Sequence, residues 1–227
     1  MPAVIDVQDV THLFGQRPVL SDVTVALREH RVAIIGANGS GKSTFARLLN
    51  GLVLPTRGQV LVEGADTRTH GRDVRRKVGF CFQNPDNQIV FPVVSEDLAF
   101  GLKHLGLPPD MLEQRISGVL ERYDLAHLRD APTYSLSGGE KQLIALAGVL
   151  IAEPRYVVLD EPMTLLDLKN KRTVAQIIAS LPQTVIMVSH DLEFISAFDR
   201  ALVFDEGRIA VDDVPQVAAR AYIELVS

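Results

Sequence analysis

The stretch Gly36-Ala37-Asn38-Gly39-Ser40-Gly41-Lys42-Ser43-Thr44 decides the fold of this chain, because it matches the pattern G-x-x-x-x-G-K-[ST]. Glycine adopts backbone angles that other residues avoid, so successive N–H groups can turn inward around one anion. The apolar run 31–35 precedes the stretch as a strand, and residues 45–49 continue after it as a helix. A phosphate-binding loop requires this order of strand, loop and helix, so we expect the stretch to hold a nucleotide phosphate.

Individual residues of this loop have separate tasks. Lys42 adds a positive charge that can reach the terminal phosphates, and Ser43 offers a hydroxyl to Mg²⁺. The helix that follows directs the positive end of its dipole at the same place. The predicted phosphate-binding residues are Asn38, Gly39, Ser40, Gly41, Lys42, Ser43 and Thr44. A chance glycine turn is the alternative, and the flanking strand and helix argue against it.

Composition indicates a folded chain with a sizeable core. The 227 residues are 47% hydrophobic and 22% charged, which excludes a disordered chain and predicts one large domain or a domain with an inserted subdomain. The net charge of −5 offers no basic footprint, so we expect no nucleic-acid partner.

The cysteine count and the lengths of the apolar runs indicate in which cellular compartment the chain is expected and whether it crosses a membrane. Cys81 is the single cysteine and cannot form an internal disulfide, which suits a reducing compartment and a small packed side chain. The N-terminus has no basic region followed by an apolar core, so no secretory signal is expected. The longest apolar run, 143–152, has ten residues and is half the span that a bilayer requires, which predicts a buried helix. Membrane contact is therefore expected only through partners.

The N-terminal segment predicts antiparallel strands. Residues 5–26 alternate apolar and polar positions in short pieces, which is typical of a half-buried sheet beside a nucleotide core. Phe14 lies within them, next to Gly15. Its ring could stack on a nucleotide base or fill the core, and position alone favours the core.

The segment between the phosphate loop and the middle of the chain contains strands and helices. Residues 58–64 predict a strand that ends in a turn, and the polar, basic residues 65–77 predict a solvated face. Helical apolar spacing in 95–105 and 110–123 predicts a separate helical lobe.

Gln83 is the first candidate site residue after the loop, because the apolar strand 78–82 delivers it into a polar segment. A carboxamide at a strand end can ligate Mg²⁺ and hydrogen-bond a water, so Gln83 is a candidate nucleotide sensor. An ordinary turn residue is an equal alternative.

A second anion-binding end is predicted at Ser137-Gly138-Gly139, where serine and paired glycines lead into a long apolar helix. The alternative is a plain helix N-cap.

The acidic pair Asp160-Glu161 follows the continuously apolar run 155–159. Such a run indicates a strand buried on both faces of a parallel sheet, whose ligands lie at the carboxyl ends of the strands. Asp160 would then hold Mg²⁺ together with Ser43, and Glu161 could polarise the water that attacks the terminal phosphate. A surface acid pair is the alternative.

His190 stands at the end of another apolar strand, 184–189. Its imidazole could donate to the terminal phosphate and report its presence, whereas a structural histidine is the alternative. Residues 201–204 and 208–211 predict a closing hairpin, and 215–227 predict an amphipathic helix.

The order of these motifs along essentially the whole chain resembles that of the ATP-binding subunits of ABC (ATP-binding cassette) transporters. That order is the phosphate loop, Gln83, Leu136-Ser137-Gly138-Gly139-Glu140, Asp160-Glu161-Pro162, Asp167 and His190. The resemblance implies an α/β fold with a P-loop NTPase core, a mostly parallel sheet, an antiparallel β-subdomain and an inserted α-helical subdomain. Within one domain, 1–227, the approximate parts are 1–30 for the β-subdomain, 31–83 and 150–227 for the core, and 84–149 for the helical subdomain.

The same resemblance implies ATP and Mg²⁺ as cofactors and a second ATPase subunit as partner. Two subunits would face each other head to tail, each nucleotide lying between the phosphate loop of one and the helix end at Ser137, Gly138 and Gly139 of the other. Glu161, His190, Gln83 and Lys42 would be catalytic, Ser43, Gln83 and Asp160 would hold the metal, and Phe14 would match the adenine-stacking aromatic. Leu165-Leu166-Asp167 would match the loop that crosses the interface between the two subunits. This match is loose, since Met163, Thr164 and Leu165 depart from the usual small residues.

Two segments, 79–88 and 95–101, are similar to those of energy-coupling-factor transporters, the importers of vitamins and of cobalt or nickel. The resemblance implies a transmembrane coupling protein and a substrate-capture membrane protein as partners, and a peripheral position at the cytoplasmic face of the membrane. The length of this chain is more similar to that of the biotin-specific kind of these ATPases.

We hypothesise that Asp86 and Glu96 line the groove that receives a coupling helix. Another importer class and a non-transport ABC protein are the alternatives, and the substrate is left open.

Overall fold

The computed structural model describes residues 4–227, which contain two β-sheets, eight α-helices and four short 3-10 helices. Residues 1–3, which open the segment in which no secretory signal is expected, lie outside that range. The strands are β1 (Ile5–Phe14), β2 (Arg17–Leu27), β3 (Arg31–Gly36), β4 (Arg57–Val62), β5 (Ala65–Asp66), β6 (Val78–Cys81), β7 (Tyr156–Asp160), β8 (Thr184–Val188), β9 (Arg200–Asp205) and β10 (Arg208–Asp213). The helices are α1 (Lys42–Leu48), α2 (Gly71–Lys77), α3 (Val94–Leu102), α4 (Pro109–Arg122), α5 (Gly138–Leu150), α6 (Leu168–Ser180), α7 (Leu192–Ile195) and α8 (Pro215–Val226).

The larger sheet has six strands in the order β10-β9-β3-β8-β7-β6, and all neighbouring pairs except β10 with β9 are parallel. The mostly parallel sheet is therefore confirmed. Alternate residues of its strands enter two separate apolar cores, one on each face. In β3, for example, Val32 and Ile34 belong to one core while Ala33 and Ile35 belong to the other. Burial on both faces explains the continuous apolar runs.

The smaller sheet has four antiparallel strands in the order β2-β1-β4-β5, so the strands predicted within 5–26 are confirmed. Its apolar side packs with α1 onto one face of the larger sheet. Helices α3 to α6 cover the opposite face. Cys81 is buried between strand and helix as a free thiol, and this burial raises its pKa to about 12.

The predicted closing hairpin is also confirmed, with β9 and β10 joined at Glu206 and Gly207. Both residues have positive φ, as the tight hairpin turns that match strand twist require. Gly207 receives a backbone hydrogen bond from Ser21 of β2 and donates one to the carbonyl of Ser40 in the phosphate loop. The turn is thereby joined to both the small sheet and the loop.

Four elements were not predicted, namely β5, α2, α6 and the short helix α7. Residues 65–77 contain the short strand β5 and helix α2, whose only buried side chain is Val74, so an apolar period was missing from the sequence. The basic residues of this segment are exposed or half-buried, as expected of a solvated face.

Helix α6 follows Asp167, whose carboxylate accepts from the backbone N–H of Asn170 and thereby caps the N-terminus of the helix. An N-cap followed by the apolar residues Val174, Ile177 and Ile178 was the signal for this helix.

No helix within residues 4–227 is both long enough and apolar enough to cross a membrane. Residues 143–150 of the apolar run 143–152 lie in α5, and nearly all of them are buried, as predicted.

Candidate functional site

The phosphate loop connects β3 to α1 and depends on glycine at two positions. Gly36 has φ of 147°, and a Cβ there would collide with the carbonyl oxygen of Phe204. Gly41 has φ of 102°, and a Cβ there would lie 2.7 Å from Leu20 Cδ2. Both the left-handed backbone and the close approach of neighbouring strands exclude larger residues. The loop can therefore keep its backbone amides turned toward one point.

Lys42 places its ammonium group inside this loop. Its Nζ donates to the carbonyl oxygens of Gly36 and Ala37, at 2.8 Å each, and the residue is 5% exposed. Burial lowers the pKa of this ammonium, while the carboxylates of Glu161 and Asp160 oppose the shift. A buried cation held by loop carbonyls alone can exchange those bonds for phosphate oxygens.

Ser40 provides a further donor for an anion. Its hydroxyl is buried and has no hydrogen-bond partner within residues 4–227. A buried hydroxyl without a partner is costly, and a bound phosphate would relieve that cost. The donors of the loop therefore fit the triphosphate of ATP.

Ser43 and Asp160 come together as predicted for a metal site. The Ser43 hydroxyl donates to Asp160 Oδ1 at 2.8 Å, and Arg47 lies 3.5 Å from Oδ2. Asp160 is 1% exposed, and burial raises the pKa of its carboxyl group, against the effects of Ser43 and Arg47. Hard oxygen donors next to a phosphate loop are the ligands that Mg²⁺ prefers, so these two residues fit the ion.

Gln83 does not join that pair in this structure. Its amide lies at the same cleft, but Nε2 donates to Glu161 Oε2 at 3.2 Å. Its assignment as a metal ligand stays a prediction.

Glu161 is the most constrained carboxylate of the site. It follows β7 with φ of 51°, a left-handed conformation that is rare outside glycine and turns its side chain toward the cleft. His190 Nε2 lies 2.8 Å from Oε1, while Gln83 Nε2 and Thr164 Oγ1, the latter at 3.0 Å, donate to Oε2. Side chains that follow the C-terminal ends of β6, β7 and β8 therefore meet at the carboxylate of Glu161.

These groups surround one cleft of about 410 Å³. Its lining residues are Val19, Asn38, Gly39, Gly41, Lys42, Ser43, Thr44, Gln83, Glu161, Thr164 and His190. Ser40 and Asp160 are buried next to this surface. Thr164 and Val19 were not predicted, since only the folded chain shows which residues of a loop or neighbouring strand reach the cleft.

Phe14 and the helix end at Ser137 lie elsewhere. Phe14 is 81% exposed where β1 meets β2 and is not among the lining residues of the cleft, so the expectation that it fills the core is wrong. Its role in stacking on a base stays a prediction. Ser137, Gly138 and Gly139 are likewise absent from the cleft lining.

The N-terminus of α5 is closed by a capping box. Ser137 Oγ accepts from the backbone N–H of Glu140, and the Glu140 carboxylate accepts from Ser137 N–H at 2.7 Å. The Ser137 hydroxyl also donates to the Glu140 carboxylate at 2.7 Å, and this bond together with that from Ser137 N–H lowers the pKa of Glu140. Within this one chain the segment is an N-cap, and its contact with ATP stays a prediction.

Gly139 has a local reason to be glycine. A Cβ there would overlap the side-chain amide of Asn170 on α6. That amide donates from Nδ2 to Asp167 Oδ2 at 3.1 Å. Gly139 therefore packs the start of α5 against the loop that carries Asp167.

We expect Gly139→Ala to destabilise the nucleotide-free chain by about 1 kcal/mol, because the methyl group would push the Asn170 amide off Asp167 and cost one hydrogen bond. Urea unfolding of the two proteins measures the difference. Gly138→Ala is the matched control, since a Cβ at Gly138 meets nothing within 4 Å. Equal stability of the Gly139→Ala and Gly138→Ala variants would show that Asn170 does not set this requirement, since both changes alter helix propensity alike.

A separate groove of about 440 Å³ lies on the helical lobe, with Phe91, Glu96, Phe100 and Leu112 among its lining residues. Glu96 lines this groove and Asp86 does not; that the groove receives a coupling helix stays a prediction. The carboxylate of Asp86 instead pairs with Lys141 Nζ of α5 at 2.6 Å.

Comparison with known proteins gives consistent matches. The model of the ABC transporter family matches residues 20–164. A protein of Bartonella quintana, provisionally named an ABC transporter ATP-binding protein, is 57% identical over 224 residues, covering 99% of each chain. The biotin transport ATP-binding protein BioM of Rhizobium etli is 48% identical over 214 residues, covering 94% of this chain and 95% of that protein.

Among solved structures, CbiO1 from Clostridium perfringens, described as part of the ABC transporter complex CbiONQ, matches with a TM-score of 0.84. The identity is 30%, and the match covers 98% of this chain and 93% of that one.

Proposed function

Because the chain belongs to the ABC transporter family of ATP-binding subunits, which bind ATP and couple its hydrolysis to transport, we propose that it energises an importer of the energy-coupling-factor type. The observation that carries the ATPase part of the proposal is the meeting of the phosphate loop with the Ser43–Asp160 pair and with Glu161 in one cleft. Its substrate would be a small nutrient, namely a vitamin such as biotin or a transition-metal ion.

The charged and polar residues at the phosphate end of the cleft have distinct roles in the proposed hydrolysis. Lys42 and the loop amides hold the phosphate charge, and Ser43 and Asp160 would hold Mg²⁺, which supplies further charge neutralisation at the phosphates when bound. Glu161 orients the attacking water and accepts its proton at the carboxylate. Gln83 and His190, which both donate to Glu161 here, would sense the terminal phosphate from the same positions.

A second ATPase subunit completes this proposal. Ser137 and its helix end lie outside the cleft of their own chain, so they are available to a nucleotide held by another copy or by a related subunit. A head-to-tail pair would place this helix end opposite the phosphate loop of the partner. Phe14, exposed at the β1–β2 turn, would stack on the adenine.

The importer type is supported by two observations. Segments 79–88 and 95–101 are similar to those of energy-coupling-factor ATPases, and the BioM relative is named for biotin transport. We propose a transmembrane coupling protein and a substrate-capture protein as partners. The chain would then lie peripherally at the cytoplasmic face of the membrane, held there through them.

Purification of the tagged chain from detergent-solubilised membranes, with identification of what accompanies it, tests the proposal. A coupling protein and a small substrate-capture protein are expected. Recovery of the membrane subunits of another importer class would overturn the energy-coupling-factor assignment. Recovery with ribosomes and no membrane protein would overturn a role in transport.

Replacing both Asp86 and Glu96 by alanine is expected to weaken co-purification of the membrane subunits about fivefold, because acids at this surface would pair with arginine on a coupling helix. Since Asp86 is paired with Lys141, Glu96→Ala alone should cause most of the loss. ATP binding should not change. Glu121→Ala, an exposed acid on α4 outside the groove, is the control, and unchanged assembly of the double variant would refute the docking role.

A further inference from the structure

The hydroxyl of Thr164 has a specific place beside Glu161. Thr164 Oγ1 donates to Glu161 Oε2 at 3.0 Å. Thr164 lines the phosphate cleft and also a neighbouring cavity of about 460 Å³ on the side of Lys171. Thr164 therefore contacts Glu161 from the loop between β7 and α6, at the border of the two cavities.

The hydrogen bonds at Glu161 leave little acceptor capacity unused. An ionised carboxylate offers about four acceptor positions on its two oxygens. Gln83 and Thr164 take two on Oε2, and His190 takes one on Oε1. The remaining position lies on Oε1, so the three donors together fix which part of the carboxylate can accept from a water.

The turn that carries Thr164 is anchored at both ends. Glu161 has the left-handed backbone described above, and its carbonyl accepts from Thr164 N–H at 3.4 Å. Met163 is buried, which holds the turn against the core. Leu165, the next residue, is 71% exposed, whereas the N–H of Leu166 donates to the carbonyl of Met163 at 3.3 Å and closes the turn on the other side of Thr164.

We propose that Thr164 is a positioning residue for hydrolysis, whose hydroxyl holds the Glu161 carboxylate so that its remaining acceptor position faces the attacking water. The inference rests on the proposed function, in which Glu161 accepts the proton of that water. Thr164 itself transfers no proton and makes no bond to phosphate. Its loss would remove one of the two donors on Oε2, so the carboxylate would be less firmly held about its last side-chain bond and the acceptor less well directed.

Three substitutions test this role in steady-state ATP hydrolysis by the full chain. Thr164→Val keeps the shape and removes the hydroxyl, and we expect kcat to fall about tenfold with KM within about twofold, since a hydrogen bond to a charged group is lost. Thr164→Ala should show the same loss and guards against misfolding of the valine variant. Thr164→Ser restores the donor and should recover kcat to within about twofold of the original value.

Thr173→Val on α6 is the control, because its hydroxyl bonds only to the backbone of its own helix at Lys169. A kcat within twofold of the original in both Thr164→Val and Thr164→Ala would overturn the inference. An equal loss in Thr164→Ser would also overturn it, since the hydroxyl would then not be the cause. Failure of the proposed function is distinguishable, because then the original chain would not hydrolyse ATP or Glu161→Gln would hydrolyse it normally.

Discussion

Glu161→Gln is expected to lower the rate of ATP hydrolysis by at least about a hundredfold while ATP binding persists, because a carboxamide cannot take the proton of the attacking water. Glutamine has nearly the same shape and can still accept from Gln83 and Thr164. It must, however, meet His190 Nε2, now 2.8 Å from Oε1, without the negative charge. The loss should therefore appear in kcat, with nucleotide affinity nearly unchanged.

Two measurements on the purified chain separate these effects. Phosphate release gives the turnover rate, and titration with a fluorescent ATP analogue gives the affinity. Glu193→Gln, an exposed acid on α7 three residues beyond His190, is the matched control and should behave as the original chain. Normal hydrolysis by the Glu161→Gln variant would remove Glu161 from the mechanism.

Lys42→Ala is expected to weaken ATP binding by at least about a hundredfold. Each hydrogen bond between a charged group and its partner is worth about 1.5–3 kcal/mol, and the buried ammonium can make two such bonds to phosphate oxygens. The same change leaves the carbonyls of Gly36 and Ala37 without their present donor. The empty loop should therefore also lose stability, by about 1–3 kcal/mol.

Calorimetric titration with ATP in the presence of Mg²⁺ measures the affinity, and urea unfolding of the nucleotide-free protein measures the stability. Lys169→Ala, an exposed lysine on α6 that does not line the cleft, should leave both unchanged. If the Lys42→Ala variant binds and cleaves ATP as before, the loop does not hold the phosphates and the proposed mechanism is wrong.

The strands of the parallel sheet could be predicted because burial on both faces produces unbroken apolar runs, as in 156–159 and 185–188. Helices α2 and α6 were missed for different reasons. Only Val74 of α2 is buried, so no apolar period exists to be recognised. Helix α6 does show one, together with the N-cap at Asp167, and these signals were overlooked.

The residues that meet in the cleft could be predicted to a similar degree, because parallel strands deliver their C-terminal residues to one edge of a sheet. That rule brings together Gln83, the adjacent pair Asp160 and Glu161, and His190 from three places in the chain. It cannot give the contacts that depend on side-chain direction. The hydrogen bond of Thr164, the packing of Asn170 on Gly139 and the pairing of Asp86 with Lys141 are of this kind.

The turn between β9 and β10 looks like a suitable place to insert a fluorescent protein or an epitope, since Glu206 is exposed at the tip of a hairpin. Its neighbour Gly207, however, is bonded both to Ser21 and to the carbonyl of Ser40. An inserted segment at this tip would pull directly on the nucleotide loop, although more than 160 residues of chain separate Ser40 from Gly207. Reporter fusions intended to leave the ATPase undisturbed belong at the exposed end of α8 instead, where Leu225 and Val226 face solvent.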